Sequence, residues 1–146
     1  MSLVIGSDHA GFEAKQDLIA FLTKHGYKVI DKGCDSPESV DYPDFALAVS
    51  KTVQSGEAGL GILICGTGIG MSITANKVPG IRAALCTSVA HAELSRQHND
   101  ANVLCLGARL QSRGEREEIT RAFLDAEFEG QRHARRVRKI HDITGC

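Results

Sequence analysis

The sequence predicts an open α/β sandwich, in which a parallel sheet of five strands is covered by helices on both faces. Three observations predict this fold: five short apolar segments recur along the 146 residues, helical patterns lie between them, and the connections are short. Strict alternation of strands and helices with short connections produces a parallel sheet with helices on both sides. The length is typical of one domain, so we expect residues 1–146 to fold together.

The strand-like segments are short and aliphatic, and the segments between them have helical periodicity. The strands are expected at residues 3–6, 27–31, 60–65, 82–86 and 102–106, and the helices at 11–25, 43–54, 71–77, 89–98 and 115–127. Gly26 follows the first helix, where a left-handed residue commonly ends a helix, and Ser88 can cap the fourth. Residues 130–146 form a basic tail that is expected to be helical.

Composition excludes several classes of partner. The net charge is −1 and charged residues make up 24% of the chain, which gives no basic excess for nucleic acid or a membrane surface. The apolar runs are too short to span a bilayer, and the N-terminus lacks the basic and long apolar regions of a secretory signal. We therefore expect no nucleic-acid or membrane partner.

The cysteines indicate a reducing environment. Five cysteines without CxxC spacing disfavour both a zinc site and a disulfide framework, so a cytoplasmic location is expected. Cys86 and Cys105 fall within or at the end of apolar strands and are interpreted as small buried hydrophobic residues.

The most informative segment is the third strand and the glycine turn that follows it. The strand ends at Cys65, and Gly66, Gly68 and Gly70 come directly after it. Alternate glycines let the backbone turn tightly and approach a ligand, and N–H groups at such a turn and at a helix start can bind an anion. A thiol beside an anion-binding turn predicts catalysis on a small anionic substrate.

Other readings of this turn fit less well. The pattern is GxGxG rather than GxGxxG, and it follows the third strand with no clear acidic partner for a ribose, so dinucleotide binding is weakly supported. A P-loop would need a lysine, and a phosphatase loop would need arginine where Met71 stands. A merely structural glycine turn stays open as an alternative. Cys65 alone could be a nucleophile, a general base or an inert thiol.

The first and third strands place polar residues on one rim of the sheet. Asp8 and His9 follow the first strand, and Cys65, Thr67 and Gly68 follow or end the third. Ligands of open α/β sheets bind beyond the carboxyl ends of the strands. These five residues are therefore better functional candidates than similar residues elsewhere.

Two further groups are expected away from that rim. His98 and Asn99 precede the fifth strand, near the opposite edge of the sheet, so one chain would struggle to bring His98 to Cys65. A symmetric dimer could do so in two equivalent sites, which gives the hypothesis of an active site shared between subunits. Arg132 and Arg136, four residues apart on one helix face, could grip a phosphate, with a solvated basic face as the alternative.

Taken together, the motifs resemble the type B ribose-5-phosphate isomerases, a family that also contains galactose-6-phosphate and allose-6-phosphate isomerases. The matching segments cover the chain nearly end to end, and the pairing of ICGTG with SRQHND is highly specific. They are GSDHAGF (6–12), DYP (41–43), ICGTGIG (64–70), ANK (75–77), GIRA (80–83), LSRQHND (94–100) and RH (132–133).

The resemblance implies a Rossmann-like three-layer α/β/α sandwich, and a homodimer or dimer of dimers with active sites at the subunit interface. It implies isomerisation of ribose 5-phosphate and ribulose 5-phosphate through an enediolate, in the non-oxidative pentose phosphate pathway, with no metal and no cofactor. The nearest rival is an isomerase of a six-carbon 6-phosphosugar. A rival of another class is a non-catalytic module that binds phosphorylated metabolites.

The resemblance also assigns roles residue by residue. Cys65 matches the family's base, and Thr67 with the N–H groups from Gly66 through Gly68 to Gly70 matches the anion hole. His98, with Asp8 nearby, matches the groups that assist ring opening. Some members carry a glutamate base instead of the cysteine; here the corresponding position is Met71, so the chain is of the cysteine type. The remaining matches are substrate contacts at Tyr42 and Asn99 and a phosphate site at His9, Arg109, Arg132 and Arg136.

Overall fold

A computed structural model describes residues 1–146 and contains one sheet of five strands, all parallel. The strand order is β2-β1-β3-β5-β4, with β4 and β2 at the two edges. The five-stranded parallel sheet predicted from the sequence is confirmed. The strands are β1 (Ser2–Ser7), β2 (Lys28–Asp31), β3 (Leu60–Cys65), β4 (Ala83–Leu85) and β5 (Val103–Gly107).

Six helices surround the sheet. They are α1 (Phe12–Lys24), α2 (Tyr42–Gln54), α3 (Ile69–Ala75), α4 (Val89–Asn99), α5 (Arg113–Asp125) and α6 (Arg132–Thr144). The expected caps are present, since Gly26 has φ +84° and the Ser88 side chain accepts a hydrogen bond from the His91 N–H.

Two helices begin two residues earlier than predicted, each for a local reason. The left-handed backbone of Gly68 ends the glycine turn, so α3 begins at Ile69. Ser112 and Glu115 form a capping box, in which each side chain accepts a hydrogen bond from the other residue's N–H, so α5 begins at Arg113. The Ser-x-x-Glu pattern at residues 112–115 is the feature of the sequence that predicts this start of α5.

The core consists of two apolar layers, one on each face of the sheet. Helices α1, α4 and α5 pack on one face, where Leu18 and Phe123 are fully buried. Helices α2 and α3 pack on the other, where Val49 and Met71 are fully buried. The central strands are apolar on both faces, as a sheet covered on both sides requires. This arrangement confirms the three-layer sandwich.

The basic tail forms helix α6, which packs against α4 near the amino end of β4. Its His141 Nε2 lies 2.9 Å from Nη1 of Arg82, the residue that precedes β4, and the Gly80 N–H donates to the Cys146 carbonyl. None of the six helices combines the length and the apolar character needed to cross a lipid bilayer.

Candidate active site

The carboxyl ends of β1 and β3 bring Asp8 and Cys65 to one rim. Ser7 pairs with Ile64, and the Asp8 N–H donates to the Ile64 carbonyl at 3.2 Å. The buried Asp8 carboxylate accepts a hydrogen bond from the Gly11 N–H at 3.1 Å, which holds the turn into α1. The rim predicted from the sequence is therefore present, and Asp8 has a fixed position on it.

The glycine turn is tied on both sides. The Gly68 N–H donates to Cys65 Sγ at 3.1 Å, and the Arg109 N–H donates to the Gly66 carbonyl at 3.0 Å. Gly68 has φ +80°, and a Cβ at this position would lie 2.6 Å from Leu85 Cδ1. Only glycine fits there, so the thiol position depends on the shape of the turn.

Three N–H groups of the turn remain available to a ligand. Gly68 donates to Cys65, and Ile69 donates to Thr67 Oγ1 at 3.3 Å. The N–H groups of Gly66, Thr67 and Gly70 have no acceptor within the chain. They form a group of backbone donors next to the thiol, where an oxyanion can be stabilised. The Gly68 N–H, which the sequence placed in the same donor set, is already engaged with the sulfur.

Other predicted site residues surround this turn. A Cβ on Gly70 would lie 2.5 Å from Cζ of the Tyr42 ring, and one on Gly66 would lie 3.1 Å from Arg109 Nη1, so both side chains border the turn. His9 Nδ1 lies 3.2 Å from both the N and the O atom of Val40. We call the residues gathered here the carboxyl-end set: Asp8, His9, Tyr42, Cys65, Thr67 and Arg109.

The other predicted residues lie at the opposite end of the sheet. Helix α4 runs back from the carboxyl end of β4, so it finishes near the amino ends of the strands. There Arg82 Nε donates to the carbonyls of Asn99 (3.1 Å) and Asp100 (2.9 Å). His98 stacks on His133 of α6, with ring centroids 4.3 Å apart. We call His98, Asn99, Arg132 and Arg136 the amino-end set.

Strand register measures the separation of the two sets. Cys65 pairs with Gly107, whereas Arg82, beside Asn99, is level with Asn102. The five residue-to-residue steps from 102 to 107 span roughly 16 Å along the strand at about 3.3 Å per step. Within one chain His98 therefore does not reach Cys65, as the sequence predicted. The reason differs from the expected one: β5 is not near the far edge of the sheet but lies directly beside β3, and His98 is separated from Cys65 because it lies at the opposite end of the strands.

Two thiols of the central part of the chain have raised pKa values and belong to the core. Burial raises the pKa of Cys86 to about 11 and raises that of Cys105 further. Both residues are almost completely buried, which confirms their interpretation as core residues. Met71 is also fully buried, so no side chain from that position reaches the rim. Cys65 ends its strand directly at the donor-rich turn.

Two features escaped the sequence interpretation. Lys15 is fully buried, and its Nζ lies 2.6 Å from the Asp31 carboxylate; a lysine on the apolar stripe of α1 was the available signal. His133 is buried against His98, and burial, followed by the charges of Arg132 and His98, lowers its pKa. No sequence pattern links His133 to His98, because the two residues lie on different helices.

Comparisons with known proteins agree with this fold. The sequence model described as "Ribose/Galactose Isomerase" matches residues 3–140. Ribose-5-phosphate isomerase B of Escherichia coli is 49% identical over 141 residues, covering 97% of this chain and 95% of its own. The solved ribose-5-phosphate isomerase B of Clostridium thermocellum is 54% identical with a TM-score of 0.98, covering 99% of this chain and 98% of its own.

A third relative has the same fold: the type B ribose 5-phosphate isomerase of Trypanosoma brucei is 47% identical, with a TM-score of 0.94 over 98% of this chain and 99% of its own. The fold and these matches point to one class of protein, the sugar-phosphate isomerases with an α/β sandwich. The chain belongs to the ribose/galactose isomerase family and is an isomerase.

Proposed function

We propose that the chain interconverts ribose 5-phosphate and ribulose 5-phosphate through an enediolate, with Cys65 as the base. The observation that carries the proposal is the Cys65 sulfur at the end of β3, beside the free N–H groups of Gly66, Thr67 and Gly70. The relatives named ribose-5-phosphate isomerase B, in E. coli and C. thermocellum, favour the pentose phosphate over a hexose phosphate.

The chemistry follows from these contacts. Cys65 takes the proton from C2 of the open-chain aldose, next to the C1 carbonyl, and returns it to C1, while the hydroxyl proton passes from O2 to O1. Negative charge then develops on the carbonyl oxygen, where each preorganised N–H donor contributes about 3–4 kcal/mol to transition-state stabilisation. The Gly68 N–H directed at the sulfur favours negative charge there, so the turn supports both partners in the proton transfer.

The remaining residues are given roles in binding and ring opening. Arg109 and His9, on the carboxyl-end set, contact the phosphate together with Arg132 and Arg136 from the amino-end set. His98 and Asp8 move protons during opening of the furanose ring, and Tyr42 and Asn99 contact the sugar. Binding of the phosphate positions the open-chain sugar next to the Cys65 thiol, and this positioning lowers the barrier to proton transfer.

This division of labour requires two copies of the chain. We propose a homodimer, or a dimer of dimers, in which the amino-end set of one copy completes the carboxyl-end set of its partner. In such a dimer the two-fold axis lies beside the edge strand β4, and the strands of the two copies run antiparallel. The amino end of one sheet then lies next to the carboxyl end of the other, and symmetry creates this contact twice. Exposed apolar side chains on the helices flanking β4 support this contact: Ile69, Ile73 and Leu94.

We further propose that the reaction needs no metal and no cofactor, and that the protein works in a reducing, cytoplasmic setting, since its five cysteines are free thiols. Prolonged chelation should leave activity intact. A lasting loss that a divalent ion restores would contradict the metal-free chemistry.

A substrate panel with a cysteine variant tests the proposal. The value of kcat/KM should be highest for ribose 5-phosphate, ahead of allose 6-phosphate and galactose 6-phosphate; a preference for either hexose phosphate overturns the substrate. Cys65→Ala should lower kcat by about 10²–10⁴-fold, the usual contribution of a general base, while substrate still binds. Cys146→Ala, at the C-terminus and outside the carboxyl-end set, is the matched thiol control. Unchanged turnover in Cys65→Ala would remove the role given to this residue.

A further inference from the structure

A second cluster of side chains lies at the amino end of the sheet. His98 of α4, His133 of α6 and Glu129 in the loop before α6 each offer one ligand atom, and these atoms lie within 4.8 Å of one another. The loop is held against α4 because the Glu129 N–H donates to the Gln97 carbonyl at 3.1 Å. Three elements of the chain therefore converge on one point.

One of these ligand atoms lacks a partner. The His133 side chain is only 7% exposed, and its Nε2 makes no hydrogen bond; the nearest carboxylate oxygen, Glu129 Oε2, is 3.5 Å away. A buried polar atom without a partner destabilises the folded chain, so this nitrogen is available to an electron-pair acceptor. The nitrogen faces the same group of potential ligands.

We propose that His98, Glu129 and His133 form a site for a divalent transition-metal ion, best suited to zinc, and that the bound ion inhibits the enzyme. Two imidazoles and a carboxylate are ligands that zinc accepts, and they are poor ligands for magnesium or calcium, which prefer oxygen alone. Three protein ligands leave a fourth tetrahedral position for water or a substrate oxygen.

The cluster must close slightly to hold the ion. At zinc–ligand distances of about 2.0–2.2 Å, the ligand atoms of a tetrahedral site lie roughly 3.4 Å apart, so some separations shrink by up to about 1.4 Å. The Glu129 side chain is half exposed and can move. The two imidazole planes are 8° apart, so both rings must turn about χ2, a torsion with broad minima. Arg132 and Arg136 nearby weaken the attraction for a cation, and the Glu129 charge opposes them.

Inhibition follows from the role proposed for His98. A ring nitrogen that coordinates zinc has no lone pair for proton transfer, so the metal removes the group that assists ring opening. The binding part of this inference stands on the geometry of the cluster alone, whereas the inhibition rests on the proposed function.

Cobalt and zinc titrations test the site in chelator-treated protein carrying Cys146→Ser, which removes the half-buried terminal thiol. We expect one Co²⁺ per chain, with a visible spectrum that lacks a sulfur-to-metal charge-transfer band. In calorimetry, Zn²⁺ affinity should fall at least tenfold in His133→Asn and in Glu129→Gln. Removal of an outer-shell partner alone typically lowers metal affinity ~10–100-fold, and loss of a ligand should have an effect at least as large. Glu127→Gln, an exposed carboxylate two residues away, is the matched control and should bind normally.

Activity provides the second readout. Saturating zinc should abolish isomerisation, a chelator should restore it, and Glu129→Gln should raise the half-inhibitory zinc concentration by the same factor as its dissociation constant. Absence of binding, wild-type affinity in both ligand variants, or a thiolate band in the cobalt spectrum overturns the site. Binding with full activity overturns the inhibition and the role of His98. If the protein isomerises none of the sugar phosphates but still binds the metal, the proposed function is refuted and the metal site is supported.

Discussion

The glycine turn depends on Gly68, and substitution of this residue by alanine should damage both stability and catalysis. Gly68 has φ +80°, a conformation that is strained for a residue with a Cβ. The added Cβ would lie 2.6 Å from Leu85 Cδ1 and 3.0 Å from the C and O atoms of Leu106. The leucine side chain can move, whereas the Leu106 backbone belongs to strand β5 and cannot.

The two penalties can be estimated separately. Left-handed backbone costs an ordinary residue about 1–2 kcal/mol, and overpacking typically costs about 1–3 kcal/mol. Their sum, about 2–5 kcal/mol, is a large part of the 5–15 kcal/mol that separates folded from unfolded domains. Strain that moves the turn also displaces the Cys65 sulfur from the donors, and a shift of about 1 Å lowers kcat roughly 100-fold.

Gly56 provides the matched control. Its φ is +79°, close to that of Gly68, but an added Cβ would meet nothing within 4 Å. Gly56→Ala therefore carries the backbone penalty alone and lies away from the rim. Guanidinium unfolding at constant m-value should show Gly68→Ala to be less stable than Gly56→Ala by about 1–3 kcal/mol, the overpacking contribution. Equal stability of the two variants, together with wild-type kcat in Gly68→Ala, would refute the reasoning that the turn's shape positions the thiol.

Two more perturbations test the interior. Asp31→Ala should destabilise the chain by about 3–5 kcal/mol, because it leaves the fully buried Lys15 ammonium without its carboxylate. Lys15→Met removes the buried charge itself and should cost clearly less. Equal losses of stability in urea unfolding would contradict the stabilising role of this ion pair. Burial raises the pKa of Cys86 from 9.0 to about 11, so the unfolded chain releases this proton first and stability falls as pH rises from 9 towards 11. Between pH 8 and pH 10 the wild type should lose about 1 kcal/mol more than Cys86→Ala, and parallel losses would argue against a buried neutral thiol.

Local patterns in the sequence predict most of this fold, because the elements follow from periodicity and caps. The buried run before Cys65 and the Ser88 cap are local features, and they appear where expected. Apolar periodicity predicts the start of α3 two residues late, because periodicity does not reveal that a left-handed glycine, Gly68, caps the helix. The strand order was not predicted, since β5 inserts between β3 and β4 through contacts that no local pattern encodes.

The candidate site was predictable in its residues and less so in its geometry. Asp8 and Cys65 could be placed together because carboxyl ends of parallel strands share a rim. The full separation of His98 from Cys65 arises because α4 runs back along the sheet towards the amino ends of the strands. This direction is seen in the folded structure and not in any local pattern of the sequence. The stack of His98 on His133 and the burial of Lys15 are tertiary contacts, so the sequence gives weak signals for them at most.

Subunit mixing tests the central claim, that one catalytic site is built from opposite sheet ends of two copies. Cys65→Ala and His98→Ala homodimers, each inactive, are dissociated and re-associated in equal amounts, and heterodimers are verified by native mass spectrometry. A heterodimer then holds one intact site and one site with both substitutions, so random mixing should restore about one quarter of wild-type activity. Verified heterodimers with no activity above the two parent variants would contradict a shared site.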